Sequence, residues 1–202
     1  NTVTATIAVG VGISFSNALG DKVYIVNGGD GTVSVIDTTT NGTGGTVVAT
    51  IPVGNNPIYP PVTVGTKVYV WNEDDYSFSV IDSLTNTVTA TTVVGTPLLK
   101  NDNFYFSSVL GNKIYTVSQT YNQVSVIDTA TDTVLENIAV GQAPIQPTIS
   151  GTKIYVNNGV DNTLSVFDTT TIPTQLPNLT SFSTSATSGS YDTGDVLTIT
   201  AN

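Results

Sequence analysis

Short runs of alternating apolar and small polar residues fill most of this chain, and Gly, Asn, Asp and Pro separate one run from the next. The runs are rich in Val, Ile and Thr, whose β-branched side chains fit a pleated sheet and lose rotamer freedom in a helix. No apolar pattern at helical spacing persists over the length of a helix. The pattern therefore predicts an all-β protein with almost no helix.

One motif recurs four times without gaps, and in each copy an Asp follows a Lys by fifteen residues. The copies are DKVYIVNGGDGTVSVID (21–37), TKVYVWNEDDYSFSVID (66–82), NKIYTVSQTYNQVSVID (112–128) and TKIYVNNGVDNTLSVFD (152–168). They lie 45, 46 and 40 residues apart. Internal periods of this size are typical of the four-stranded blades of a β-propeller.

A second recurring element lies between these copies and ends in Val-Gly. It reads NTVTATIAVG (1–10), GTVVATIPVG (45–54), NTVTATTVVG (86–95) and DTVLENIAVG (132–141). Together with a further apolar stretch before each Lys, it divides one period into four strands, a to d. In the third period we predict these strands at 103–110, 113–117, 123–128 and 132–140.

The count of strands predicts how the ring closes. Pro173 and Pro177 follow the fourth copy, where an outer strand would need backbone donors, so blade four lacks its own strand d. The N-terminus supplies a strand of that type. We therefore predict a four-bladed β-propeller over residues 1–171, closed by strand 3–9 as the outer strand of the last blade. Pairing of two chains into an eight-bladed ring, or exchange of this strand with a neighbouring chain, is the competing arrangement.

These repeats resemble the YVTN β-propeller family. The resemblance is carried by K-[VI]-Y-[VI]-x-N, T-V-S-V-I-D-T and T-N-T-V-x-A-T-I-x-V-G, and it covers roughly residues 1–171. It implies a propeller of the kind known from archaeal and bacterial cell-surface and surface-layer proteins, and hence an extracellular location. Two features depart from the family. The Ser-Pro-Asp-Gly turn is reduced to Gly and one further residue, and the chain has room for four blades where about seven are common.

Residues 172–202 differ in character from the repeats. Two prolines lead into a Ser/Thr-rich linker and then into an alternating pattern at Val196, Leu197, Thr198, Ile199 and Thr200. This end resembles the opening of an immunoglobulin-like repeat of bacterial surface proteins. Because a lone strand is not stable, we predict an interaction strand that is donated to the next subunit and builds a filament. The first strand of a following immunoglobulin-like domain is the alternative.

Composition excludes several classes of function. The 202 residues include five Lys, no Arg and 15 acidic residues, a net charge of −10, so no surface suited to nucleic acid can be assembled. Without His or Cys, the chain forms no Ser-His-Asp triad, thiolate nucleophile or His- or Cys-based metal site. The uncharged stretch 38–66 is interrupted by Gly, Asn and Pro, so we expect no membrane insertion.

The recurring Lys and Asp residues are the most regular candidates for a site. Each Asp ends strand c, where its carboxylate can accept backbone N–H bonds of the following turn; a four-fold metal or substrate ring is the alternative. Pairing of strands b and c places each Lys opposite its Asp, as a rung that sets register more than stability. The pairs are Lys22 and Asp37, Lys67 and Asp82, Lys113 and Asp128, and Lys153 and Asp168.

The loops between strands b and c carry other acidic residues. Asp30, Asp75 and Asp161 occupy equivalent places, and Asp74 adds charge in the second loop. Carboxylate oxygens suit calcium, so these four residues are candidate calcium ligands; polar turns are the alternative, because no loop has the D-x-D-x-D-G ligand spacing. We expect no other cofactor.

A Thr-rich surface of low charge suits close lateral packing and offers little catalytic equipment. We therefore predict an extracellular structural protein, a surface-layer or filament subunit that associates with itself or with neighbouring surface domains, and not an enzyme. A module that binds a glycan or small ligand is the second hypothesis, in which Trp71 is an exposed binding aromatic instead of a filler between blades. A lactonase-like propeller enzyme is the third.

Overall fold

The computed structural model describes residues 2–40, 42, 44–94 and 107–172. In these ranges the chain forms fifteen strands, two 3-10 turns and no α-helix, as the alternating pattern predicts. The strands are β1 (Ile13–Leu19), β2 (Lys22–Asn27), β3 (Thr32–Asp37), β4 (Thr46–Pro52), β5 (Val62–Val64), β6 (Lys67–Asn72), β7 (Ser77–Asp82), β8 (Thr87–Val93), β9 (Ser107–Leu110), β10 (Lys113–Ser118), β11 (Gln123–Asp128), β12 (Thr133–Ala139), β13 (Pro144–Ser150), β14 (Lys153–Asn158) and β15 (Thr163–Asp168). The 3-10 turns are Glu73–Asp75 and Thr169–Thr171.

Consecutive strands pair antiparallel and form four blades. The first three blades are the sheets β1–β4, β5–β8 and β9–β12, and the fourth has the three strands β13–β15. The fold is a β-propeller with four blades. A Gly with φ near +60° turns the chain from the first to the second strand in every blade, a conformation that costs a glycine nothing because it has no Cβ; these residues are Gly20 (59°), Gly65 (59°), Gly111 (60°) and Gly151 (61°).

Strand register repeats from blade to blade. Each Lys lies directly opposite the Asp predicted to be its partner: Lys22 and Asp37, Lys67 and Asp82, Lys113 and Asp128, and Lys153 and Asp168. A bulge interrupts the pairing of the third and fourth strands at the same point in the first three blades, after Val35, Val80 and Val126. The predicted b–c register is therefore confirmed in all four repeats.

Each of the first three blades packs one sheet face on the next blade, and we call this its forward face. The same strand positions define the forward face of the fourth blade, and the opposite face of every blade is its backward face. In the second blade the forward face carries Tyr69, Phe78 and Val80, and the backward face carries Val68, Val70 and Ile81. Three clusters of buried apolar side chains join the first blade to the second, the second to the third and the third to the fourth. The core of the protein is thus divided among the junctions between blades.

The predicted closure by strand 3–9 is not formed. Residues 2–10 belong to no strand, and β15 has no outer neighbour among the described residues. None of the three clusters joins the fourth blade to the first. A strand-forming sequence pairs only where a sheet edge lies within reach, and among the described residues no strand edge is paired with residues 2–10.

The second predicted region, 172–202, lies outside the described residues except for its first residue, as does the predicted interaction strand Val196–Thr200. Ile172 is buried in the cluster between the third and fourth blades. Within the described ranges, the structure contains no helix with the length and apolar character needed to cross a membrane.

Candidate functional site

The four Asp residues at the ends of the third strands cap the turns that follow. Asp37 Oδ1 accepts the Thr39 hydroxyl at 2.6 Å and its backbone N–H at 2.8 Å. These bonds lower the pKa of Asp37. Asp168 holds Thr170 in the same way, backbone N–H at 3.0 Å and hydroxyl at 2.8 Å, and the bonds lower its pKa to about 2. Asp82 and Asp128 each accept a backbone N–H at 2.7 Å.

The Lys of the first two blades reaches across a junction to the next blade. Lys22 Nζ donates to the Ser83 carbonyl at 2.5 Å and to Asn86 Oδ1 at 2.9 Å. Lys67 Nζ donates to the Thr129 carbonyl at 2.7 Å and forms an ion pair of 2.7 Å with Asp132. In these two blades the Lys thus lies on the predicted rung opposite its Asp, but its hydrogen bonds go to the next blade. Both side chains instead join one blade to the turn of the next.

Tyr69 strengthens the junction between the second and third blades. Its ring is buried in the cluster there, and its hydroxyl donates to Asp132 Oδ1 at 2.5 Å. Burial, and then the neighbouring carboxylate, raise the pKa of Tyr69 above its ordinary value. Asp132 thus receives one donor from a Lys and one from a Tyr of the preceding blade, so its charge is compensated at a partly buried place.

Lys153 in the fourth blade behaves differently. Its Nζ lies 3.3 Å from Oδ2 of Asp168, its own partner across the hairpin. The two side chains are 50% and 32% exposed. The rung predicted for every blade thus forms as an ion pair here, where no described blade lies in front of the forward face. An ion pair as exposed as this one contributes little to stability, because water screens it.

An Asp clamps the chain where it enters the first, second and fourth blades, and at the second blade an Asn takes part as well. At the second blade, Asn72 Oδ1 accepts the Gly54 N–H at 3.0 Å, and Asp75 Oδ2 accepts the next N–H, of Asn55, at 2.7 Å. The corresponding bonds to Asp30 and Asp161 measure 2.6 Å, from the N–H groups of Val11 and Gln142. These three Asp residues therefore fix the entry segment by accepting backbone hydrogen bonds.

Sequence reasoning missed the clamp glycines. A Cβ on Gly10 would lie 2.6 Å from Asn27 Cγ and 2.7 Å from Asp30 Oδ2, so a larger residue cannot occupy this place without a shift. Gly54 and Gly141 are crowded in the same way by their own Asn and Asp. The signal was present in the sequence of the first, second and fourth repeats, because a Val-Gly ending is followed after 17 or 18 residues by an Asn, and the Asp comes three residues later.

The four candidate calcium ligands do not lie together as one cluster. Asp74 Oδ1 lies 3.4 Å from Asn56 Nδ2, and Asp30, Asp75 and Asp161 belong to three different clamps. No group of three or more His, Cys, Asp or Glu side chains lies together in the described ranges. Calcium binding by these loops stays a prediction.

A cavity of about 320 Å³ lies where the first strands of three blades meet. Its wall combines aromatic with polar side chains, including Asn17, Tyr59, Trp71, Ser107 and Thr116. Trp71 is only 2% exposed and lies in the cluster between the second and third blades, so it fills this junction and is not an exposed binding aromatic. The cavity offers hydrogen-bonding groups and ring edges, so it suits a small neutral polar ligand better than an ion.

Comparison with known proteins supports the fold. No family model and no curated protein sequence matches the chain. Among solved structures, the chain is similar to hydrazine synthase of Kuenenia stuttgartiensis, with 21% identity and a TM-score of 0.59 over 77% of this chain and 46% of that one. It is also similar to the computationally designed Ika4 protein, with 12% identity and a TM-score of 0.64 over 83% of this chain and 98% of that one.

A third similar structure is a putative 6-phosphogluconolactonase from Bacteroides uniformis, with 16% identity and a TM-score of 0.62 over 81% of this chain and 55% of that one. The chain therefore spans about half the length of the two natural proteins. At these identities the likeness establishes a β-propeller and carries no activity with it.

Proposed function

We propose that this chain is an extracellular structural protein that assembles with copies of itself, as a surface-layer or filament subunit. The observation that carries the proposal is the apolar forward face of the fourth blade, which stays exposed while the forward faces of the other three blades are buried. Contiguous exposed apolar surface is typical of protein–protein contact sites. The resemblance of the repeats to the YVTN family supports a location at the cell surface.

Light scattering of the purified chain over a hundredfold range of concentration tests this role. We expect a mass that rises with concentration beyond that of one chain. A mass of one chain at every concentration contradicts the proposal. The same series with added calcium shows whether the contact lies in the b–c loops or on the blade face. Association that appears only with calcium would assign the contact to the loop residues Asp30, Asp74, Asp75 and Asp161.

A second candidate function is the binding of a glycan or small polar ligand in the cavity beside Trp71. The aromatic and polar wall of that cavity favours it. Trp71 is the only Trp of the chain, so a titration with sugars followed by Trp fluorescence reports on this cavity alone. The third hypothesis, a lactonase-like enzyme, is supported only by likeness of fold, and a hydrolysis assay with a sugar lactone tests it.

A further inference from the structure

The fourth blade leaves uncovered an apolar face that the other blades bury. Leu164 and Val166 are 52% and 49% exposed, and Tyr155 is half-buried. The residues at the same two strand positions in the other blades are all buried: Val33, Val35, Phe78, Val80, Val124 and Val126. The forward face of the fourth blade thus has the apolar residues of a junction. Among the described residues, no blade lies in front of it.

The backward face of the first blade is the matching surface. Val23 and Ile25 are half-buried there, whereas Val68 and Val70 at the same positions of the second blade are fully buried against the blade before it. The residue types are those that cover a forward face at each of the three junctions described above. The first blade therefore carries the surface that fits the exposed face of the fourth.

Residues 2–8 point to the same junction. Asp30 clamps the entry to the first blade as Asp75 clamps the entry to the second, where the clamped Gly54 follows β4 of the preceding blade. When Gly10 is aligned with Gly54, residues 2–8 align with β4 (Thr46–Pro52) and show the same alternation of polar and apolar residues. They pair with no described strand, and the outer edge of β15 is open in the described ranges.

We propose that the fourth blade of one chain packs on the first blade of a second copy, and that residues 2–8 of the second copy add to β15 as the missing outer strand. The register of β3 and β4 then places Ala5 opposite Val166 and Ile7 opposite Leu164, as Ala49 lies opposite Val35 and Ile51 opposite Val33. This proposal rests on the self-assembling role proposed above. Two such junctions close two chains into a ring of eight blades, which is then the repeating unit of the assembly proposed above.

Exposure of both terminal faces in the single chain favours a second copy over closure within one chain, and the Lys of the fourth blade has an acceptor in the new junction. Lys153 corresponds to Lys22, which donates to the carbonyl of Ser83, the residue after Asp82; in the new junction its acceptor is the carbonyl of Thr38, the residue after Asp37. A ring of four blades requires each blade to turn twice as far as a ring of eight. Among the described residues none of the three clusters joins the first blade to the fourth, and the faces that a closed ring of four would bury stay partly exposed.

Engineered cysteines test the register and the partner together. The chain has no Cys, so a disulfide between Ala5→Cys and Val166→Cys is unambiguous. Mixing two full-length chains, one with each substitution, should give a covalent dimer after oxidation. Ala5→Cys mixed with Leu84→Cys is the control and should give none, although Leu84 is 76% exposed. When both Ala5→Cys and Val166→Cys lie in one chain, a disulfide only within that chain overturns the proposal in favour of closure by the chain itself.

Surface substitutions separate this proposal from self-assembly in general. Leu164→Lys with Val166→Lys should weaken association at least tenfold, and Val93→Lys, at a residue that is 61% exposed on the second blade, should leave it unchanged. All three positions are exposed in a single chain, so circular dichroism should show an unchanged fold. Association that persists in the double variant overturns this junction but leaves the structural role intact. A wild-type chain that never associates overturns both.

Discussion

The second and fourth blades have nearly the same pattern but different surroundings. Tyr69, Val80 and Lys67 lie at a completed junction, and Tyr155, Val166 and Lys153 occupy the same positions on an open face. The apolar residues are buried in one blade and partly exposed in the other, and the Lys bonds the next blade in one case and its own Asp in the other. A repeat therefore specifies its own hairpins, whereas its neighbour decides what each side chain contributes to stability.

The largest expected difference between the two blades concerns the tyrosines. Tyr69→Ala should lower the free energy of unfolding by about 3–5 kcal/mol, because it removes a buried ring and the donor to Asp132. Tyr155→Ala should cost about 1 kcal/mol or less, because its ring is already partly in water. Urea unfolding at low protein concentration measures both. Equal losses would mean that the fourth forward face is covered in the single chain.

The valines give a smaller effect with matched chemistry. Val80→Ala should cost roughly 2 kcal/mol, since two methyl groups leave a close-packed site. Val166→Ala should cost less than about 0.5 kcal/mol in the single chain. The cost of the second substitution should grow at concentrations where chains associate. If it stays constant while the mass doubles, Val166 does not lie in the contact.

The lysines should differ by less again. Lys67→Met should cost about 1–2 kcal/mol, because Asp132 loses its cation at a place where only 12% of its side chain is exposed. Lys153→Met should change stability by about 0.5 kcal/mol or less. Thermal unfolding at low and high salt measures both changes, and salt should reduce only the part due to screened charges. A loss at Lys153 as large as that at Lys67 would contradict the comparison.

The smallest effect is a dependence on pH at the turn of the fourth blade. Hydrogen bonds from Thr170 lower the pKa of Asp168 to about 2 in the folded chain, from the ordinary value of 3.8. The bonds therefore stabilise the fold fully at a pH above 3.8, and this stabilisation is lost as the pH falls through the folded pKa. The Asp168→Asn variant should therefore lose less stability than the wild type between about pH 4 and pH 2. Parallel acid unfolding curves for the two chains would exclude this contribution.

The sequence predicted the hairpins well because their partners are close along the chain. A fixed spacing between Lys and Asp in four copies determines the b–c register, and an Asp before Thr or Ser is enough to predict a capped turn. The bonds from Lys22 to Ser83 and from Lys67 to Thr129 span more than sixty residues and depend on how blades stack. No local pattern contains that information.

The clamp is less predictable from sequence than the hairpins and more predictable than the Lys contacts between blades. Its Gly, Asn and Asp recur in the first, second and fourth blades, and in the third blade Ser118 and Tyr121 replace the Asn and the Asp together. That joint replacement was the sequence signal that the residues act as a unit. The closure by strand 3–9 is not confirmed for a different reason, because a pattern predicts the tendency to form a strand but not the edge that receives it.

The clamp also has a consequence for how such a protein can change in length. The entry points to the first, second and fourth blades are fixed by residues of the blade that follows. A segment from Gly10 to Val53 therefore contains the residues that fix its own start, and it is followed by the clamp of the next blade. Copying Gly10 to Val53 once more within the gene would add a blade whose two ends already match its new neighbours. Duplication and recombination can then vary the number of blades without a new kind of contact.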